Sequence, residues 1–260
     1  MAEFINKMHN DGKPPKYDFD NFEQMGREVQ VRYYATKGME EVNKNGCCNY
    51  GAPHRLDTAY WDNVGPTQFK VKTPLPSGKQ PSDAIESIFR PGADNRLECN
   101  SLMVAVQYRA MLKTLGAENF NKKFPGGQGI IISPHHQPPS GVSSHPIWEK
   151  HLFKEITISG EKDLLPGDWV YFKNFEDYTA KHPGGVWAGE HALYMGNGKY
   201  QGFGPRTFAG GKSLTKAELE KELCDQYNDG LNPGEQKPCK AIPGLRDYAR
   251  QPVIKEIEKK

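Results

Sequence analysis

No apolar run in this chain approaches the 18 or so residues that a membrane-spanning helix needs. Residues 1–16 are polar and lack the apolar core of a secretory signal. The expectation is therefore a protein that stays in the cell making it, or one exported by a route without such a signal. Charge of one sign is also missing. A net charge of +2, with basic residues spread along the chain, argues against a nucleic-acid partner. Among five cysteines none shows the Cys-x-x-Cys spacing of a zinc or redox motif. Cys47 and Cys48 are adjacent and Cys99 stands alone. Cys224 and Cys239 lie in a polar tail, where free thiols are expected and a disulfide is the alternative. No carboxylate cluster has the form of a calcium loop, so no metal or other cofactor is expected. His135, His136, His145 and His151 fall in a Pro/Ser-rich loop without ligand-like spacing and read as solvated. There is no internal repeat.

Glycine and proline are plentiful, 27 and 20 residues, and the mean hydropathy is −0.76, which favours a loop-rich mixed fold over a helical bundle. The pattern predicts a helix from Phe22 to about Asn45, broken at Gly38 and closed by Asn45-Gly46. Strands follow at 59–62 and 68–72. A second helix starts at Pro81, with Ser82 or Asp83 as its cap. Further strands are predicted at 153–158, 169–173, 189–195 and 199–203, the last two joined by a Gly196-Asn197-Gly198 turn. Thr215-Lys216-Ala217-Glu218 reads as a capping box before a helix ending near Tyr227. Residues 229–260 are polar, punctuated by proline and expected to be peripheral.

Between these elements, Arg96-Leu97-Glu98-Cys99-Asn100-Ser101 leads into an apolar run to Leu115, with Gly116 as its stop. This places a cysteine on the first turn of a buried helix. The unpaired N–H groups there favour a thiolate and predict a lowered pKa. The competing reading is a small, inert core residue. A buried cysteine helix followed by antiparallel strands is an α+β layout, in which a late strand faces the helix start. Papain-like enzymes bring a base to their cysteine in this way.

Taken together, Arg96-Leu97-Glu98-Cys99, the block Pro166-Gly167-Asp168-Trp169-Val170-Tyr171-Phe172-Lys173-Asn174, and Trp187-Ala188-Gly189-Glu190 resemble the bacterial spore-coat type transglutaminases. The resemblance covers residues 25–210 and implies a papain-like core whose cysteine helix packs on an antiparallel sheet. Its implied organisation is a polar lead-in over 1–20, the transglutaminase domain over 21–212, and a C-terminal helix and tail over 213–260. It also implies that Cys99 is the nucleophile, Glu190 its partner and Glu98 an auxiliary acid. Two positions depart from the family. Phe203-Gly204 stands where the family has His-Gly, and His191 follows the glutamate where the family has asparagine. On a strand Glu190 and His191 point to opposite faces, so one of them serves the thiol. Titration favours the imidazole, near 6.5 against about 4.3 for a carboxylate. Spacing to Gly196 favours Glu190.

The implied chemistry is acyl transfer through a thioester. Cys99 attacks a protein-bound glutamine, N–H groups at the helix start hold the oxyanion, and ammonia leaves. A lysine amine then forms an isopeptide bond, or water gives deamidation. Trp187, Trp169 and Tyr171 are expected to line a narrow entry that excludes water. The implied partners are proteins bearing glutamine and lysine, and the implied location is a spore coat. Three other readings remain. One is an effector deamidase or transglutaminase delivered into another cell, with a cognate inhibitor as partner. Another is a papain-like cysteine peptidase. The last is a non-enzymatic binding module on the same scaffold.

Overall fold

The computed structural model describes residues 21–133, 153–204 and 211–252. Helix α1, Phe22–Asn45, is capped by the Asn21 side chain, which accepts the Gln24 N–H at 2.9 Å, and ends on Gly46 at φ 58. The expected break at Gly38 is absent. A Cβ at that position would lie 3.5 Å from Val106 Cγ1, so the glycine brings two helices together rather than ending one. Strands β1 (Cys48–Tyr50), β2 (Trp61–Gly65) and β3 (Gln68–Val71) precede helix α2, Pro81–Ile88. The cap of α2 is Gln80, two residues ahead of Ser82, the nearer of the two expected caps. Asp83 instead closes the box, accepting the Gln80 N–H at 2.8 Å. Strand β4, Asn95–Leu97, then feeds helix α3, Cys99–Leu115, and the short α4, Ala117–Lys123.

The remaining elements are β5 (Ile131–Ile132), β6 (Phe153–Thr157), β7 (Trp169–Lys173), α5 (Tyr178–Lys181), β8 (Gly189–Gly196), β9 (Lys199–Gly202), β10 (Leu214–Thr215), α6 (Lys216–Asn228) and β11 (Gly244–Pro252). A six-stranded antiparallel sheet runs β10-β9-β8-β7-β11-β6. β2-β3-β5 form a second sheet, and β1 pairs with β4 in parallel. Because side chains alternate along a strand, the large sheet is apolar on both faces. Trp169 and Leu193 join the core built on α1 and α3, whereas Val170, Phe172, Ala192 and Tyr194 join Leu219, Leu223 and Tyr227 of α6. The α+β architecture expected from the sequence is present, with the cysteine helix buried against an antiparallel sheet.

The tail is where expectation and structure part. Residues 244–252 are not peripheral: β11 is an inner strand between β7 and β6. Its polar residues are buried with partners, which hid it. Arg250 meets Glu155 at 3.2 Å and lies over the Trp169 ring, and Gln251 reaches Asp168 at 3.4 Å. The default of free thiols is overturned as well, since Cys224 and Cys239 form a disulfide.

The Gly167-Asp168 pair proves to be a clasp. Arg32 of α1 meets Asp168 at 2.5 Å and Glu28 at 3.0 Å, and Asp168 also accepts the Leu165 N–H at 2.8 Å. Gly167 has φ 90, and a Cβ there would lie 2.9 Å from Arg32 Cα. Glycine is required both by the backbone angle and by the approach of α1. Among the described residues no helix is long and apolar enough to cross a membrane.

Candidate active site

Three chain segments converge at the start of α3. Glu98 is the N-cap, and its carboxylate accepts the N–H of Asn100 at 2.9 Å and of Ser101 at 2.5 Å. The Cys99 thiol points to the same carboxylate, with Sγ 3.8 Å from Oε2. The carboxylate thus sits on the positive end of the helix, where it is favoured, and occupies amides that were expected to serve the thiolate and the oxyanion. Two corrections follow. The Asn100 and Ser101 amides are engaged by Glu98, and the Cys99 thiol is raised rather than lowered. Burial is the main cause, the charges of Glu190 and Glu98 add to it, and main-chain hydrogen bonds from His191 and Asn100 oppose it without prevailing.

Glu190 stands near the start of β8, 2 % exposed. Burial pushes its carboxyl up to about 8, the Phe203 N–H opposes this, and the Glu98 charge adds to the rise. Phe203 donates that hydrogen bond from its main chain at 2.8 Å, so the phenyl group in the family's histidine position leaves this contact intact. Its ring meets Tyr50 edge-on at 5.7 Å. His191 shares a face with Tyr171, Trp169 and Leu193. Its Nδ1 accepts from Trp169 Nε1 at 3.0 Å, and its ring lies 4.6 Å from that of Tyr171.

The three expected entry aromatics take different positions. Trp169 is fully buried, touching Phe153, Arg250 and His191, so its role as a substrate wall is corrected to a support for His191. Tyr171 is half-buried, and burial and the nearby Cys99 charge raise its hydroxyl. A Cβ at Gly189 would lie 2.1 Å from Tyr171 Oη, which explains glycine before Glu190. Gly204 lies beside both Trp187 and Glu190. A Cβ at Gly204 would sit 3.1 Å from Trp187 Cη2 and 3.6 Å from Glu190 Oε2.

Tyr50 is a site residue that sequence reasoning missed. β1 pairs it with Leu97, two residues before Cys99. Burial raises its hydroxyl, and the charges of Cys99, Glu190 and Glu98 raise it further, so it stays a proton donor. A three-residue parallel strand has neither a period nor a turn signal to reveal it. The neighbouring thiols are core: burial pushes Cys47 up to about 11 and Cys48 higher still. Among the described residues no group of three or more His, Cys, Asp or Glu side chains is placed to hold a metal. His135, His136, His145 and His151 lie outside the described residues. A thiol, two carboxyl groups in unlike environments and a phenol form a set suited to acyl transfer.

Comparison with known proteins agrees. The model of the family described as protein-glutamine gamma-glutamyltransferase matches residues 2–218. The protein-glutamine gamma-glutamyltransferase of Bacillus licheniformis is 26 % identical over 211 residues, covering 78 % of this chain and 74 % of that protein. That of Halalkalibacterium halodurans is 27 % identical over 225 residues, covering 86 % and 67 %. The solved transglutaminase from Geobacillus stearothermophilus, without its C-terminal extension, superposes with a TM-score of 0.68 at 21 % identity, covering 91 % of this chain and 96 % of that one. The last likeness bears on the fold. With the family match spanning most of the sequence, from before α1 into α6, the chain belongs to the protein-glutamine gamma-glutamyltransferases.

Proposed function

We propose that Cys99 is the nucleophile of this transglutaminase and that its two carboxyl groups divide the proton work. The observation that carries the reading is the contact of the Cys99 thiol with Glu98 at 3.8 Å beside a Glu190 that holds its proton near neutral pH. In the first half-reaction Sγ attacks the γ-carboxamide carbon of a protein-bound glutamine as Glu98 takes the thiol proton. The C–N bond then breaks, and the Glu190 proton goes to the departing nitrogen as ammonia. In the second half-reaction a neutral lysine amine attacks the thioester and Glu190, now a carboxylate, accepts its proton. The C–S bond breaks, and Glu98 returns a proton to Cys99. Water in place of the amine gives deamidation by the same steps. Tyr50 is a donor for the carbonyl oxygen as charge develops on it, since Glu98 engages the Asn100 and Ser101 amides of the first turn.

Glu190 rather than His191 is the proton partner. Its charge bears on Cys99 and Tyr50, and the His191 ring is held by Trp169 and Tyr171. The substrates are proteins carrying glutamine and lysine. The Cys224–Cys239 disulfide supports a place of work outside the reducing cytosol, such as a coat or the cell exterior. Intact-mass analysis of a glutamine peptide, with and without a primary amine, tests the activity. An amine adduct from the wild type and none from Cys99→Ala is the expected result. Cleaved peptide in place of the adduct would instead mark a peptidase.

A further inference from the structure

The segment between β7 and β8 carries Trp187, which borders Gly204 as Glu190 does, and it is held from an unexpected side. Asn174, at the end of β7, is fully buried. Its Nδ2 donates to the Trp187 carbonyl at 2.8 Å and to the Leu223 carbonyl of α6 at 2.7 Å, while its Oδ1 accepts the Phe175 N–H at 2.8 Å. One carboxamide therefore bridges the wall of the active site and the middle of a helix that begins where the family match ends.

Other ties run in parallel. His182 Nε2 lies 2.6 Å from the Tyr227 carbonyl, and Asp177 accepts from the Tyr227 hydroxyl at 3.0 Å and from Lys237 at 2.6 Å. The far side of α6 is anchored by the Cys224–Cys239 disulfide and by Asn228, which bonds the main chain of Lys237 at 2.8 and 2.9 Å. A single apolar cluster joins Phe175, Tyr178 and Trp187 to Leu223, Cys224 and Tyr227. The position of Trp187 is thus set by α6 and its disulfide, not by the sheet alone.

We propose that Asn174 is a positioning residue for acceptor selection. Through it the disulfide-anchored C-terminal segment holds Trp187 where the ring keeps water from the thioester and leaves the lysine amine as the favoured nucleophile. The proposal rests on the acyl-transfer reading of Cys99. Its direct consequence is a change in how the thioester is divided between amine and water, with thioester formation itself retained.

The test measures both products in one reaction, a glutamine peptide with a fixed concentration of a primary amine, and the rate of ammonia release separately. Asn174→Ala is expected to shift the ratio of transfer to hydrolysis about tenfold towards hydrolysis, a change of about 1.4 kcal/mol in the difference between two barriers, with ammonia release largely kept. Because Asn174→Ala removes a buried bridge between the Trp187 and Leu223 carbonyls and is at risk of misfolding, Cys224→Ala/Cys239→Ala gives a second route. It loosens the same helix from its outer side, and a smaller shift in the same direction is expected. An unchanged ratio in whichever variant folds would overturn the proposal, since a merely structural role lowers both products together. Failure of the wild type to release ammonia would overturn the acyl-transfer reading itself, a result distinct from an unchanged ratio.

Discussion

Glu190 shows how much a single environment decides. Exposed, its carboxyl would be ionised at neutral pH and useless as an acid. Buried beside Glu98, it holds its proton to about 8. The folded pKa lies above the unfolded value of about 4.5. Its contribution to stability is therefore complete below pH 4.5 and lost as pH rises through 8. Denaturant titrations at pH 6 and pH 9 should show the wild type weakened at the higher pH, by at most about 3 kcal/mol from this group. Glu190→Gln should lose that slope while losing turnover. Tyr50→Phe should slow ammonia release about 10²-fold with KM for the glutamine peptide little changed, as expected for a group acting on developing charge. The sequence made Cys99, Glu98 and Glu190 legible through motif resemblance. Tyr50 was not, because its relation to Cys99 is a three-residue parallel pairing. The raised thiol was missed because burial, its main cause, is set by the fold, and because the helix start was read as open although Glu98 engages two of its amides.

At the scale of elements, the Arg32–Asp168–Glu28 group explains why α1 and the turn before β7 are built as they are. Breaking a buried, paired charge leaves the other uncompensated, and Asp168→Ala should cost about 3–5 kcal/mol in a denaturant titration. The activity per folded molecule should be retained, since Asp168 touches no reacting group. α1, α3 and β7–β9 were readable because each carries enough apolar residues, with turn or cap signals at its ends, to mark it as a buried element. β11 was not, because Arg250 and Gln251 are buried through Glu155, Trp169 and Asp168, partners distant in sequence. Polar composition signals exposure only when no partner waits inside. Gly38 misled in the opposite sense: a helix breaker by propensity, it is kept within α1 by the close approach of Val106.

For the whole molecule, the C-terminal segment beyond the family match is integral, supplying α6, the inner strand β11 and the disulfide. The disulfide closes a short loop across 15 residues of sequence, for which loop-closure entropy gives about 3 kcal/mol. Melting the oxidised protein beside Cys224→Ala/Cys239→Ala should show the variant less stable by about that amount. The central claim is that the site rests with Cys99 as a thiol and Glu190 as an acid that protonates the departing ammonia. It is tested most directly by the pH dependence of kcat/KM for a glutamine peptide, which reports the ionisations of the free enzyme. Far-ultraviolet circular dichroism at each pH confirms the folded fraction. The account predicts a fall in kcat/KM as pH rises through about 8, set by Glu190. A rise through the same range, with the protein folded, would show Glu190 acting first as a base towards the thiol and would contradict it.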